Sequence, residues 1–276
     1  MNLISVEVPS LYPLSVLPEK IMIGQLQLAE VINTMFADMP DDFKWDCCFF
    51  PDDELLQKSR GLTDFTIADC GGRIAGCAGN GKKLIPFSGI ELRFPWQILD
   101  ISRMIMEKVS GDSTAGNIAP QTVIDGHLIL GKNSSILPGV YIEGNCMIGS
   151  NCKIGPNCYL RGNTIIGDNC HIGQAVEIKN SVIGSNTAIG HLSYAGDSVI
   201  GSHVNFGAGT IIANLRHDNC NHRSMVGGEL LDTGRRKFGA VIGDGVHTGI
   251  NTSIYPGRKL SPGAVTAPGM IVKYDL

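Results

Sequence analysis

Residues 130–178 read LGKNSS ILPGVY IEGNCM IGSNCK IGPNCY LRGNTI IGDNCH IGQAVE I, and every block of six opens on an aliphatic residue. The series Ile118, Ile124, Leu130, Ile136, Ile142, Ile148, Ile154, Leu160, Ile166, Ile172 and Ile178 runs without a miss. Neither a helix, with its period of about 3.6, nor a strand, with its period of about 2, has such a spacing. A chain that turns a corner every six residues does. Three such sides close a triangular coil of about eighteen residues, one short parallel strand to a side, and fixed-period self-similarity of this kind marks a solenoid. Each coil buries its apolar edge by stacking on the next. The pattern therefore predicts a mainly β protein built on a parallel β-helix.

The other positions of the repeat agree. Gly131, Gly149, Gly155, Gly167 and Gly173 follow the aliphatic residue, as expected of corners that need backbone freedom. Four residues after each aliphatic stand small or β-branched side chains: Ser134, Val140, Cys146, Cys152, Cys158, Thr164, Cys170 and Val176. These are expected to point inward too. The spacing slips by one residue between Ile178 and Ile183 and between Ala195 and Ile200, then resumes through Phe206 and Ile212. It returns at Ile242, Thr248, Ile254, Leu260, Thr266 and Val272. The polar, out-of-phase stretch 213–240 is expected to leave the solenoid as a loop, and loops of such length usually carry function.

Composition narrows the function. A net charge of −4 with no basic stripe argues against nucleic acid as a partner. The chain has no run of eighteen apolar residues and no leader pattern, so the expectation is a cytoplasmic protein without a membrane partner. Of the nine cysteines, Cys146, Cys152, Cys158 and Cys170 fall on inward positions and read as small buried hydrophobes. His217 and His222 are five apart in the loop, a spacing some trimeric solenoids use for zinc. Their place off the coils argues against a metal, and none is predicted.

Residues 1–94 lack the six-residue period and read as a small α/β domain. Strands are expected at Leu3–Val8, 64–69, 73–77 and 89–94, and a helix within 25–38. Pro95 opens a connecting helix with Ile98, Ile101, Ile105 and Val109 on its apolar face, and a linker to residue 116 leads into the solenoid at 117–276.

Residues eighteen apart should stack at the strand-pairing distance of about 4.8 Å. This sets Asp125, Glu143, Arg161 and Lys179 in one column. Two adjacent cations repel unless an anion binds between them, and a guanidinium offers a phosphate a two-pronged contact. The plain alternative is a solvated ladder in which Glu143 satisfies Arg161. His191 and Tyr194 lie where the repeat slips. A histidine there can project beyond the wall as a general base, or it can be an ordinary surface side chain.

Several stretches carry a family resemblance. They are Tyr159-Leu160-Arg161, Val176-Glu177-Ile178-Lys179, Gly190-His191-Leu192-Ser193-Tyr194 and Val204-Asn205-Phe206-Gly207-Ala208-Gly209-Thr210. With Ala213–Asp218 and Asp232–Lys237, they make the chain from about residue 117 resemble the left-handed β-helix acetyltransferase domain of the bifunctional N-acetylglucosamine-1-phosphate uridyltransferases, archaeal type. The resemblance implies a left-handed solenoid, a homotrimer with sites between subunits, and acetyl-CoA as co-substrate. It implies His191 as general base, Glu177 as its partner, and Asn214 near the acetyl group. Arg161 and Lys179 match the sugar-phosphate clamp, Tyr194 and Asn205 match substrate positions, and Ala208 a coenzyme contact. The bacterial pattern has a lysine six residues after Asn214. Here Cys220 stands there, with Arg223 or Arg216 as substitutes, and Ile250 replaces a serine that meets the coenzyme. Leu11–Pro18 with Gly24, and Phe94–Leu99, are similar to a divergent sugar nucleotidyltransferase group. Residues 1–94 are less than half that group's usual length and lack a glycine-rich loop, so no uridyltransferase activity is expected.

The expected function is acetyl transfer to an amino-sugar phosphate, most simply glucosamine-1-phosphate. The alternatives are a catalytically weak trimeric sugar-phosphate-binding scaffold and an acyltransferase for another nucleotide sugar.

Overall fold

The computed structural model describes residues 2–4, 22–23 and 26–276. The chain divides into two compact units, one made chiefly of Leu26–Arg93 and the other of Phe94–Leu276. The Leu11–Pro18 and Gly24 stretch lies outside the described residues, as does most of the strand expected at Leu3–Val8; Asn2–Ile4 is a strand.

The first unit holds a five-stranded mixed sheet and two helices, α1 (Leu28–Met35) and α2 (Asp53–Ser59). An aromatic cluster packs its core. Phe36 meets Phe43 and Trp45 at centroid distances of 5.1 and 4.6 Å, and the Trp45 indole N–H donates to the Phe49 carbonyl at 2.8 Å. A buried indole needs such an acceptor. Strands occur at Phe65–Ala68, Ile74–Ala78 and Gly89–Glu91, while α2 and the strand Lys83–Pro86 carried no strong sequence pattern.

The second unit is the solenoid with its leading helix. Pro95–Gln97 form a 3-10 turn that runs into α3 (Ile98–Met106). Ile98, Leu99, Ile101 and Met106 are its buried face. Ile105 is half-buried and Val109 lies past the helix end, so the apolar stripe is set one position away from the expected one. Three parallel sheets of eight, seven and eight strands form the solenoid walls. Successive coils pair eighteen residues apart, as Leu128 with Cys146 and Cys146 with Thr164. Between Ile165–Val182 and Ala195–Ile212 the step is seventeen, as the slips in the sequence require, and it is eighteen again from Ala240–Arg258. This architecture is the left-handed parallel β-helix of the hexapeptide repeat.

One apolar cluster runs up the axis from Leu128 to Val272 and includes all four coil cysteines. Ser134, Val140, Thr164 and Val176 are buried with them. Ile118 and Ile124 are the exceptions, at 37 and 36% exposed. They sit on the first coil, where no coil precedes to cover them. Of the repeat glycines Gly155 takes a positive φ, of +95°, as expected, and the other four do not. At the other corners the left-handed conformation is taken by asparagines, with φ of +59° at Asn133, +57° at Asn151 and +57° at Asn169. Asparagine tolerates this region better than most side chains. Gly149 is needed instead for close approach, since a Cβ there would stand 2.6 Å from the Gly167 carbonyl carbon of the next coil.

The excursion at 213–240 is folded. Arg223–Val226 and Glu229–Asp232 pair as an antiparallel hairpin. Its root is anchored by buried His222, Ser224, Thr233 and Phe238. Phe238 meets Trp96 edge-on at 6.1 Å, and Arg235 pairs with Asp100 of α3. No helix among the described residues is long and apolar enough to cross a membrane.

Candidate active site

Strand register builds the site. On the third wall, strands Tyr141–Glu143, Tyr159–Arg161, Glu177–Lys179 and Tyr194–Gly196 pair in order. Asp125, Glu143, Arg161 and Lys179 therefore stack in one column, with Gly196 next. Tyr159, Glu177 and Tyr194 stack in the column two residues before it.

The acidic partner of Arg161 is Glu177, at 2.7 Å from Nε and 2.6 Å from Nη2, rather than Glu143. Glu143 accepts from the Tyr159 hydroxyl. The guanidinium also lies 5.4 Å over the Tyr159 ring. Glu177 is thus engaged by Arg161, and its carboxylate makes no hydrogen bond to His191 among the described residues. Strand alternation explains this, because Glu177 points outward on the third wall whereas His191 ends a strand of the second.

Lys179 meets Asp197 at 3.3 Å, and both side chains are largely buried. Asp197 follows its strand at φ +50° and is 3% exposed. Its carboxylate also accepts from Asn214 Nδ2 at 2.6 Å and from Asn180 Nδ2 at 3.3 Å. Asn214 donates in addition to the Tyr194 hydroxyl at 3.0 Å. Burial and the neighbouring carboxylates of Glu177 and Asp197 raise the Tyr194 phenol above its ordinary value, so it stays a neutral donor. Lys179, Asp197, Asn214 and Tyr194 form one satisfied polar network. A half-satisfied network would cost stability, and a complete one holds its members in place.

Gly196 makes that network possible. A Cβ there would stand 2.3 Å from the Tyr194 oxygen and 2.6 Å from Asn214 Nδ2. Gly196→Ala is expected to push both side chains off their partners, at about 1–3 kcal/mol for the overpacking. Urea unfolding and acceptor titration of the variant check this, and unchanged values in both would refute the constraint.

The position six residues after Asn214, where the resemblance places a lysine, is Cys220, which is exposed. The fold supplies a cation from the other end of the excursion. Lys237 pairs across from Leu215, Phe238 N–H donates to the Asn214 carbonyl at 3.0 Å, and Gly239 N–H donates to the Asp197 carbonyl at 2.9 Å. Lys237 stands beside Lys179, whose charge holds it below the usual lysine range. Neither arginine named as a substitute takes this place. Arg216 pairs with Asp218 at 2.5 Å, and Arg223 lies on the hairpin, its carbonyl 3.2 Å from Arg258 Nη2. Arg161, Lys179 and Lys237 thus face Glu177 and Asp197, three cations to two carboxylates.

His222 seals the root of the loop. Its Nε2 is 3.1 Å from the Asn214 carbonyl, which can only accept, so Nε2 carries the proton. Burial lowers its pKa below 6.5. The unfolded chain then binds more protons as pH falls, so stability from this group is full above about pH 6.5 and is lost progressively below it. Thermal unfolding from pH 7.5 to 5 should show this loss, reduced in His222→Gln.

His191 occupies the corner between the second and third walls, exposed, three residues before Tyr194. Its carbonyl accepts from Gly209 N–H at 3.2 Å, and the Ala208 carbonyl accepts from Asn251 N–H at 2.8 Å. His191, Ala208–Gly209 and Ile250–Asn251 are therefore the same corner on successive coils. The steps between them are about 4.8 Å. Asn205 lies on the second wall, paired with Ala188 and His247. Ile250 is 54% exposed on this corner. The predicted residues accordingly fall into two groups. Arg161, Glu177, Lys179, Tyr194 and Asn214 lie together on the third wall. His191, Asn205, Ala208 and Ile250 lie along the adjoining corner and second wall. Among the described residues, no group of three or more His, Cys, Asp or Glu side chains is arranged to hold a metal ion.

Wall, corner and network are those of a hexapeptide-repeat left-handed β-helix. Residues 142–258 match the model of the GMPPB C-terminal domain. The chain is 43% identical over 196 residues to a bifunctional sugar-1-phosphate nucleotidylyltransferase/acetyltransferase of Sulfurisphaera tokodaii, covering 70% of this chain and 49% of that protein. It is 38% identical over 231 residues to the bifunctional protein GlmU of Methanococcus maripaludis, covering 81 and 54%. The chain is thus a relative of the bifunctional nucleotidylyltransferase/acetyltransferases and spans about half the length of the curated relatives it matches. Among solved structures, a Francisella novicida UDP-N-acetylglucosamine acyltransferase aligns over 59% of this chain and 62% of that one, at 18% identity and a TM-score of 0.31.

Proposed function

We propose that the chain is an acetyl-CoA-dependent N-acetyltransferase acting on an amino-sugar phosphate, glucosamine-1-phosphate being the simplest acceptor. The observation that carries it is the convergence of Arg161, Lys179 and Lys237 beside Tyr194 and Asn214, one corner away from His191. Three cations facing two carboxylates fit a phosphate dianion, which relieves their mutual repulsion. Glu177 and Asp197 orient Arg161 and Lys179 and keep the site from collapsing when empty.

The chemistry then follows from position. The acceptor is held by its phosphate on the third wall with its amine turned to the corner. His191 takes a proton from the amine. The amine nitrogen attacks the thioester carbonyl, the C–S bond breaks, and the departing thiolate is protonated to coenzyme A thiol. Holding both reactants at one corner supplies most of the rate through proximity. The donor runs along the corner column past Ala208 and Ile250. The exposed Ile250 offers no hydrogen bond where the resemblance has a serine. The first unit is a nucleotidyltransferase-like remnant without uridyltransferase activity, and the working form is a homotrimer.

The test is thiol release from acetyl-CoA over a panel of amino-sugar phosphates. Release that depends on glucosamine-1-phosphate supports the proposal. Release with other acceptors alone moves the substrate. Binding of glucosamine-1-phosphate without release with any acceptor replaces the enzyme with a sugar-phosphate-binding scaffold.

A further inference from the structure

Lys237 is an exposed side chain on the returning limb of the excursion, so its place beside Lys179 depends on what holds that limb. The outer face of the first wall supplies the anchor. Met147, Ile165, Val182, Val199 and Val241 stack there in one outward column, and Lys259 ends it. Ile165, Val182, Val199 and Val241 are buried although they face out of the coil, and α3 lies against the strand Val182–Ile183 among them. The apolar face of α3, Ile98, Leu99, Ile101 and Met106, is buried in turn. At the helix end Asn145 Nδ2 donates to the Met106 carbonyl at 2.9 Å. Before the helix, Trp96 is stacked on Phe94 at 4.6 Å and has Lys259 Nζ 5.9 Å over its ring. Two posts on this seat reach the excursion, one on each side of Lys237. Asp100 pairs with Arg235, two residues before it, and Trp96 meets Phe238, the residue after it, edge-on at 6.1 Å. Arg235 Nε is buried without a partner, and Asp100 is the one carboxylate paired with this arginine among the described residues. A partly buried cation that loses its counter-charge is driven toward water, and its backbone follows.

We infer that Asp100 and Trp96 are positioning residues: seated on the first wall, they tie down the limb that carries Lys237 and hold its amine against Lys179. The tether is a property of the empty chain. Its use in acceptor binding rests on the proposed function. There a Lys237 already in place meets the acceptor's phosphate without first giving up its freedom, which is the gain from preorganisation. The charged groups around Lys237 are Lys179, Asp197 and Arg236, so two cations crowd it against one carboxylate. Without an anion that crowding pushes Lys237 outward, and the posts on either side oppose the push. If the Arg235–Asp100 pair only added stability, cutting it would leave Lys237 where it is.

The test compares the full chain as wild type, Asp100→Asn, Arg235→Gln, Lys237→Met and the double variant Asp100→Asn/Lys237→Met. Competitive labelling with acetic anhydride across the alkaline range, read by mass spectrometry, follows the titration of the Lys237 amine with no ligand present. Lys179 holds that titration below the usual lysine range. Asp100→Asn and Arg235→Gln should each move it up toward an ordinary lysine, while the exposed Lys132, on a distant coil, stays put. Calorimetric titration with inorganic phosphate gives the second readout. Affinity should fall about fivefold in Asp100→Asn and about tenfold or more in Lys237→Met, and the double variant should match Lys237→Met alone. A Lys237 titration left at its wild-type position in either Asp100→Asn or Arg235→Gln overturns the inference. Phosphate binding that Asp100→Asn leaves intact overturns it too, as does a loss that persists at full size in the Lys237→Met background. If the wild type binds no phosphate, the clamp of the proposed function fails instead, and the labelling alone decides the tether.

Discussion

Asp197→Ala is expected to cost about 3–5 kcal/mol of stability and to abolish acceptor binding. Removing one member of a buried ion pair leaves the other charged in a dry site, and that orphaned charge dominates the loss. Here the orphan is Lys179, 3.3 Å away and largely buried. Asn214 and Asn180 lose their acceptor in the same step. The alanine must also take Asp197's φ of +50°, which an L side chain without a local hydrogen bond adopts at a cost of about 1–2 kcal/mol. Asp197→Asn separates these terms, because asparagine tolerates that backbone and still accepts one hydrogen bond. It should fall between wild type and alanine in urea unfolding. Adding Lys179→Met to Asp197→Ala should restore part of the stability but none of the acceptor binding, since the orphaned charge is gone and the clamp has lost a cation. A wild-type unfolding midpoint for Asp197→Ala would refute the network.

Periodicity made the walls readable because a buried six-residue edge leaves no freedom in side-chain direction. Cys152 and Cys170 are inward for the same reason as Ile154 and Ile172, and the column Glu143, Arg161, Lys179 follows from coil length alone. What periodicity does not carry is the choice between neighbours. Arg161 has Glu143 one coil before and Glu177 one coil after, and the Tyr159 hydroxyl takes Glu143. Lys237 was hidden for a different reason. A hairpin between Arg223 and Asp232 separates it in sequence from Asn214, while Phe238, buried against Trp96 and His222, carries it back. An aromatic Phe directly after a lysine, the one aromatic of the excursion, is the available signal. Asp197 gives no signal in the sequence because an acidic residue next to a glycine reads as an ordinary turn. Its burial comes from Gly239 and Lys179 closing over it, which are contacts between coils.

His191→Ala carries the sharpest separation of rate from affinity. A positioned general base contributes about 10²–10⁴ in rate. The structure keeps His191 off the wall that carries the proposed clamp: it ends a strand of the second wall, while Arg161, Lys179 and Tyr194 stand on the third. On the proposed reaction, His191→Ala should lower kcat for thiol release by that factor and leave the acceptor KM within about twofold, because a loss confined to the transition state lowers kcat and kcat/KM together. Arg161→Ala should do the reverse, raising the acceptor KM with a smaller effect on kcat, since the phosphate is held equally before and during the reaction. His191→Gln keeps the size and a donor but not the base and should be as slow as alanine. Equal kcat in wild type and His191→Ala would remove His191 from the chemistry. A rise in acceptor KM in His191→Ala as large as that in Arg161→Ala would place it in the clamp, and the two-wall division of labour would then be wrong.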